Sequence, residues 1–68
     1  MLLAIDVGNT NTVFAVYRDD IMVKVWRLAT SSARTADEYT AFLYPLFSQL
    51  SIRFEDVDMA IVSSVVPD

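Results

Sequence analysis

The stretch AIDVGNTNTVFAVY, Ala4–Tyr17, decides how this chain folds. It is apolar at both ends. Between them stands one carboxylate, one glycine and a run of amides and hydroxyls, Asp6-Val7-Gly8-Asn9-Thr10-Asn11-Thr12. Met1–Val7 reads as a strand whose two alternating sets are both apolar, the pattern of a strand covered on both faces. Asn11–Tyr17 reads as a second strand returning beside it. Gly8-Asn9 is the turn between them, expected to use the positive φ that these two residues accept.

The same reading extends along the chain. Arg18-Asp19-Asp20 is a polar turn, and Ile21–Leu28 is a third strand with Lys24 and Arg27 on opposite faces. Ala29–Thr35 is a small polar loop. Thr35-Ala36-Asp37-Glu38 then has the form of a capping box, in which the Thr hydroxyl and the Glu carboxylate satisfy each other's backbone N–H groups. Asp37 and Glu38 also suit the positive end of a helix dipole. Tyr39, Phe42, Leu43, Leu46, Phe47 and Leu50 follow at spacings of three and four, so the helix has one apolar face. Pro45 lies off that face and is expected to bend the helix or end its first half. Ser51–Asp58 is a connection. Met59–Val66 is a fourth strand, stopped by Pro67.

Strand, strand, strand, helix, strand is an α/β order with a mixed sheet. Two tight hairpins make the first three strands antiparallel neighbours, and the helical crossover returns the fourth parallel to the first. One helix cannot cover both faces of that sheet. One face stays bare, a larger apolar patch than monomers normally show, so the chain reads as a piece of something longer or as one that pairs with a partner.

Composition bounds the function. With 54% hydrophobic and 12% aromatic residues, the chain packs a core. Nine acids against five bases give a net charge of −4, and Arg18, Lys24, Arg27, Arg34 and Arg53 are scattered, so nucleic-acid binding has no basic face to rest on. There is no cysteine and no histidine, which removes disulfides, thiolate metal sites and histidine general bases from this chain. The N-terminal MLLAIDVG is apolar for only five residues and reads neither as a signal peptide nor as a membrane span.

The polar interruption has a chemical reading. A turn of Gly, Asn and Thr offers backbone N–H groups and hydroxyls together, and such a turn surrounds phosphate oxygens without a lysine. An Asp ending the preceding strand would hold Mg²⁺ beside those phosphates, and the glycine would let the backbone come close. A plainer reading stands beside it: Gly-Asn hairpins are common, and a strand-end Asp also serves to satisfy neighbouring N–H groups. The pattern is not a P-loop, since no G-x-x-x-x-G-K-[ST] is present. It is not a dinucleotide fingerprint either, since it has one glycine and leads into a strand.

DVGNTNT between two strands resembles the first phosphate-binding motif of the actin-like ATPase superfamily, whose ribonuclease H-like half-domain has the strand order read above. Within it, IDVGNTNTVFAVY, RTADEY (Arg34–Tyr39) and SSVVP (Ser63–Pro67) together resemble the type III pantothenate kinases over essentially the whole chain. The resemblance implies that residues 1–68 are the N-terminal part of the first of two such domains, truncated, with the second domain absent. It implies transfer of the γ-phosphoryl of ATP to pantothenate, giving 4'-phosphopantothenate, the first step of coenzyme A biosynthesis. It also implies a cytoplasmic homodimer using Mg²⁺ and a monovalent cation, K⁺ or NH4⁺. The ATP-phosphate segment would be Asp6, Val7, Gly8, Asn9, Thr10, Asn11, Thr12 and Val13, with Asp6 the metal-organising carboxylate. The family's catalytic Asp sits in a Gly-x-Asp-Arg motif. None of Asp6, Asp19, Asp20, Asp37, Asp56, Asp58 and Asp68 precedes an Arg, so the general base is expected beyond Asp68, together with the pantothenate, adenine and monovalent-cation sites.

The remaining polar residues have local explanations. Capping accounts for Thr35, Asp37 and Glu38. Arg34 is a loop arginine of the solvated kind, with a phosphate as its alternative partner. Ser63 and Ser64 satisfy a strand end or line the nucleotide cleft. Trp26 and Tyr39 are core or sheet cover. Two further readings stay open: a non-catalytic transcriptional accessory homologue of the same family, and a stand-alone interaction module that uses the bare sheet face.

Overall fold

A computed structural model describes residues 1–31 and 33–64. Four strands, β1 (Leu2–Val7), β2 (Asn11–Arg18), β3 (Ile21–Ala29) and β4 (Met59–Ser64), form one sheet in the order β3-β2-β1-β4. β1 and β2 are antiparallel, β2 and β3 are antiparallel, and β1 and β4 are parallel. The crossover between β3 and β4 carries the helix α1 (Ala36–Gln49) and a short 3₁₀ turn, Phe54–Asp56, that the sequence pattern does not announce. The architecture is the expected mixed α/β sheet, the strand–strand–strand–helix–strand portion of an actin-like ATPase half-domain. The fourth strand is seen through Ser64, and its expected continuation to Val66 with the Pro67 stop lies outside the described residues.

The register explains the core. Leu3 pairs with Val16, Ile5 with Phe14 and Val7 with Thr12, and across the next ladder Phe14 pairs with Trp26 and Thr12 with Leu28. These residues share one face, because cross-strand partners point the same way. The apolar stripe of α1 lies on that face: Leu43 and Phe47 are buried with Phe14 and Val16, and Tyr39, Phe42 and Leu50 pack at the edge of the cluster. The ring of Phe14 lies 5.6 Å from that of Phe42 and 6.0 Å from that of Tyr39, and Trp26 stacks on Phe47 at 5.8 Å. Trp26 and Tyr39 are thus sheet cover, as the sequence suggests. Lys24 pairs with Val16 and Arg27 with Val13, which puts the two charges on opposite faces as expected.

The helix termini follow local rules, with one substitution of residue type. Thr35 Oγ1 accepts from the Glu38 N–H and Glu38 Oε1 accepts from the Thr35 N–H, so the capping box is closed. α1 runs through Pro45 without ending there; Pro45 is exposed, off the packed stripe. At the other end the Ile52 N–H donates to the Phe47 carbonyl and the Ser51 N–H to the Ser48 carbonyl, a Schellman arrangement. Ser51 takes the left-handed position, φ 58°, where glycine is usual, and Ile52 then buries itself beside Phe47. The β2–β3 turn is made by Asp19, also left-handed at φ 56°, with a bulge between Val16 and Tyr17 just before it.

α1 covers β2 and part of β1, and leaves the rest of the sheet open. Val62 shares the helix-side row of Ile5 yet is 64% exposed, at the mouth of an open apolar cleft of about 300 Å³ between α1 and β4. The opposite face has no covering element among the described residues, and Met22, Val25, Met59 and Ile61 stand exposed on it. The bare face inferred from sequence is therefore present.

Ser51→Gly is expected to stabilise the fold by on the order of 1 kcal/mol, since it removes the cost of a left-handed Cβ. Thr35→Ala is expected to cost about 1 kcal/mol through loss of the cap. Urea unfolding of the two variants should move the midpoint in opposite directions.

Candidate functional site

The carboxyl ends of β1, β3 and β4, the β1–β2 turn and the start of α1 all lie at one end of the sheet. This follows from the pairing: Val7 is opposite Thr12 and Ser64, and Asn11 is opposite Ala29. In open α/β sheets the crevice outside the strands' carboxyl ends is where ligands bind, because backbone groups there are not used by the ladder. The polar interruption of the sequence occupies that end.

The β1–β2 turn does not use positive φ. Among the described residues the only left-handed positions are Asp19 and Ser51, so the expected conformational role of Gly8-Asn9 is corrected. Gly8 is required for a different reason. Its N–H donates to the Asn11 carbonyl at 3.0 Å, and a Cβ built on Gly8 would stand 3.0 Å from that same oxygen. A side chain at this position would need that oxygen, and the turn with it, to give way by a few tenths of an ångström. Asn9, Thr10 and Asn11 project from it, exposed.

Thr30, which sequence reasoning passed over as part of a small polar loop, holds this turn from the side. Its N–H donates to the Thr10 carbonyl at 2.9 Å, and its hydroxyl donates to the Gly8 carbonyl at 2.8 Å. The Thr12 and Thr30 hydroxyls are 3.0 Å apart. Thr30 spends its one proton on Gly8, so Thr12 is the donor in that pair. Thr12 is 1% exposed, on the helix-side row. Its hydroxyl belongs to the support of the turn, whereas neighbouring Thr10 is exposed. No periodicity marks Thr30; its position beyond β3 matters only because β3 pairs with β2.

The other residues of the segment separate by face. Val7 lies on the helix side with Thr12. Asp6 and Val13 pair with each other on the uncovered face, in a row completed by Ser63 and Arg27. Asp6 is exposed, and its Oδ1 accepts the Ser63 hydroxyl at 3.0 Å. Ser63 therefore serves a carboxylate and not only the strand end. Arg34 is tied down: Nη1 donates to the Ala29 carbonyl at 2.8 Å, and the guanidinium lies 5.8 Å from the centre of the Tyr39 ring. It secures the loop between β3 and α1 next to the turn. Thr35 and Glu38 are occupied with each other.

The donor set bears on Mg²⁺. Among the described residues no three acidic, histidine or cysteine side chains come together as a metal cage. A single exposed carboxylate beside a turn of N–H groups is what Mg²⁺ on a polyphosphate takes from a protein, since phosphate oxygens and water supply its other ligands. Asp6 fits that demand.

A family description, Type III pantothenate kinase, matches residues 2–68. Proteins bearing that name are similar to this chain over nearly all of it. The one from Halalkalibacterium halodurans is 52% identical over 67 residues, 98% of this chain. Those from Caulobacter vibrioides and Gluconobacter oxydans are 52% and 48% identical over the same length. The chain spans about a quarter of these relatives, 25–26% of their length. On the match to the family and these identities, the chain belongs to the type III pantothenate kinase family.

Proposed function

We propose that residues 1–68 form the ATP-phosphate-binding part of an enzyme that phosphorylates pantothenate to 4'-phosphopantothenate, the first step of coenzyme A biosynthesis. The observation that carries this reading is the placement of the β1–β2 turn, beside Asp6, at the carboxyl ends of β1 and β4. The family description and its relatives' shared name, type III pantothenate kinase, support this reading.

Each residue of the segment then has a task. Gly8 keeps the backbone clear so that N–H groups and the Asn9, Thr10 and Asn11 side chains approach the β- and γ-phosphates of ATP. Thr12 and Thr30 fix the turn from beneath. Val7, at the turn's entrance, lines the helix-side cleft, and Val13 pairs with Asp6. Asp6 would hold Mg²⁺, which neutralises charge on the phosphates when bound. Phosphoryl transfer rests largely on positioning and charge stabilisation, and that is the share this segment takes. In the whole enzyme the general base, the pantothenate pocket and the K⁺ or NH4⁺ site come from other residues, and the working unit is a cytoplasmic homodimer. Among the described residues no helix is long and apolar enough to cross a membrane.

The test uses a chimera in which these 68 residues replace the matching quarter of the Halalkalibacterium halodurans relative. Asp6→Asn keeps the side chain's shape and removes its charge. Turnover should fall on the order of 10²–10³-fold, the cost of losing one electrostatic contact to a charged transition state, with the melting temperature nearly unchanged. Gly8→Val should lower both ATP affinity and stability, since its Cβ meets the Asn11 carbonyl. If Asp6→Asn leaves the Mg²⁺-dependent rate intact and lowers the melting temperature as much as Gly8→Val, Asp6 is a structural residue and the proposed site is wrong.

Thr30→Val removes one hydroxyl and keeps the shape. KM for ATP is expected to rise several-fold, in keeping with the roughly 1 kcal/mol of a neutral hydrogen bond. Thr30→Ser should restore it, and KM for pantothenate should not move. Equal losses for both substrates would show that Thr30 supports the fold and not this turn.

A further inference from the structure

We propose that Ser63 is a positioning residue for the Asp6 carboxylate, setting the orientation in which Asp6 meets the metal on ATP. The proposal rests on the reading of Asp6 given above, and goes beyond it by assigning a second residue to the site from the far end of the chain.

The geometry is specific. β1 and β4 are parallel and in a register that sets Asp6 directly beside Ser63. The Ser63 hydroxyl donates to Asp6 Oδ1 at 3.0 Å, joining residues 57 positions apart. Both are exposed on the uncovered face, which no element covers among the described residues. The terminal torsion of an aspartate is broad and soft, so an exposed Asp on a strand end samples many orientations. One hydrogen bond to an ionised oxygen, stronger than a neutral one, selects among them. It does not exhaust the carboxylate, which has about four acceptor positions on its two oxygens. Ser63 thus fixes the plane and leaves room for a cation. Partners of this kind orient metal-binding carboxylates and commonly change metal affinity or activity by 10–100-fold when removed. On the other side Asp6 has Val13, which cannot donate a side-chain hydrogen bond, so in the row across the sheet Ser63 is the adjoining residue able to do this.

The experiment compares Ser63→Ala, Ser63→Thr, Asp6→Asn and the Asp6→Asn/Ser63→Ala pair in the chimera. The first readout is Mn²⁺ binding in the presence of ATP, followed by electron paramagnetic resonance, which needs no turnover. The same titration is run on the 68-residue chain. The second is the Mg²⁺ dependence of turnover. Ser63→Ala is expected to weaken Mn²⁺ binding about tenfold and to raise the half-saturating Mg²⁺ by a similar factor. KM for pantothenate and the melting temperature should stay as they are. Ser63→Thr, which keeps the hydroxyl, should restore the metal response. The double variant should be no worse than Asp6→Asn alone, because Ser63 acts through Asp6.

Wild-type Mn²⁺ affinity in Ser63→Ala, with binding lost in Asp6→Asn, overturns the proposal and leaves the site at Asp6 standing. Unchanged metal binding in Asp6→Asn overturns the site itself. A lowered melting temperature that Ser63→Thr does not recover, or losses that add in the double variant, makes Ser63 a structural residue and overturns the proposal. Absence of ATP-dependent Mn²⁺ binding in both unsubstituted proteins overturns it as well.

Discussion

β1 is hydrogen-bonded on both sides, antiparallel to β2 and parallel to β4, and the rest of the structure hangs on that double pairing. The antiparallel partner comes from the next few residues and costs little to bring in. The parallel partner must return across a helix, because strands running the same way cannot be joined by a tight turn. The crossover therefore does two jobs. It delivers α1 to one face of the sheet, where Leu43 and Phe47 bury Phe14 and Val16, and it delivers Ser63 to Asp6. The Met1 ammonium, 2.9 Å from the Asp58 carboxylate, and the Asp58 N–H donating to the Met1 carbonyl fasten the start of β1 to the approach of β4.

The packing is one-sided. A single helix of fourteen residues shields the middle of one face, and β4 is exposed along its whole length. β1 and β4 nonetheless carry apolar residues on both alternating sets, a composition suited to strands covered on both faces. The chain matches about a quarter of the length of its relatives, so the site's geometry is set by a part of the fold whose own apolar surface is unevenly covered. That geometry is built from few parts: a three-residue turn, the start of the next strand, and one hydroxyl from beyond β3. It can be well defined even where the sheet around it is not fully packed, because backbone hydrogen bonds and threonine hydroxyls hold it rather than buried area.

Glycine illustrates how a residue can be right for a reason other than the usual one. A Gly-Asn pair in a hairpin suggests left-handed backbone, yet Gly8 has none, and among the described residues the two that do are Asp19 and Ser51. Gly8 instead leaves room for the Asn11 carbonyl oxygen, which would stand 3.0 Å from a Cβ there and would have to give way by a few tenths of an ångström. With the turn closed in this way, Asn9, Thr10 and Asn11 are left exposed. The left-handed positions instead go to a polar hairpin and a helix end, where Asp and Ser tolerate the strain because their side chains can bond locally.

Sequence by itself determined the elements that obey local rules. The capping box at Thr35 and Glu38, the apolar stripe from Tyr39 to Leu50, the hairpins and the strand order were all legible, because residues within four positions of one another decide them. So were the bare sheet face, from strands apolar on both sides with one helix to cover them, and the family, from three short motifs in order. Tertiary structure alone decided which members of the polar segment face outward and which support it. Thr10 and Thr12 are alike in sequence, but pairing with Val7 and Leu28 turns Thr12 inward to the helix. Thr30 and Arg34 acquired their partners through the β2–β3 ladder and the loop that follows, and Ser63 met Asp6 through the β1–β4 register. A one-residue shift in a ladder turns a strand's side chains to the other face, and register depends on the whole sheet, which no short window of sequence contains.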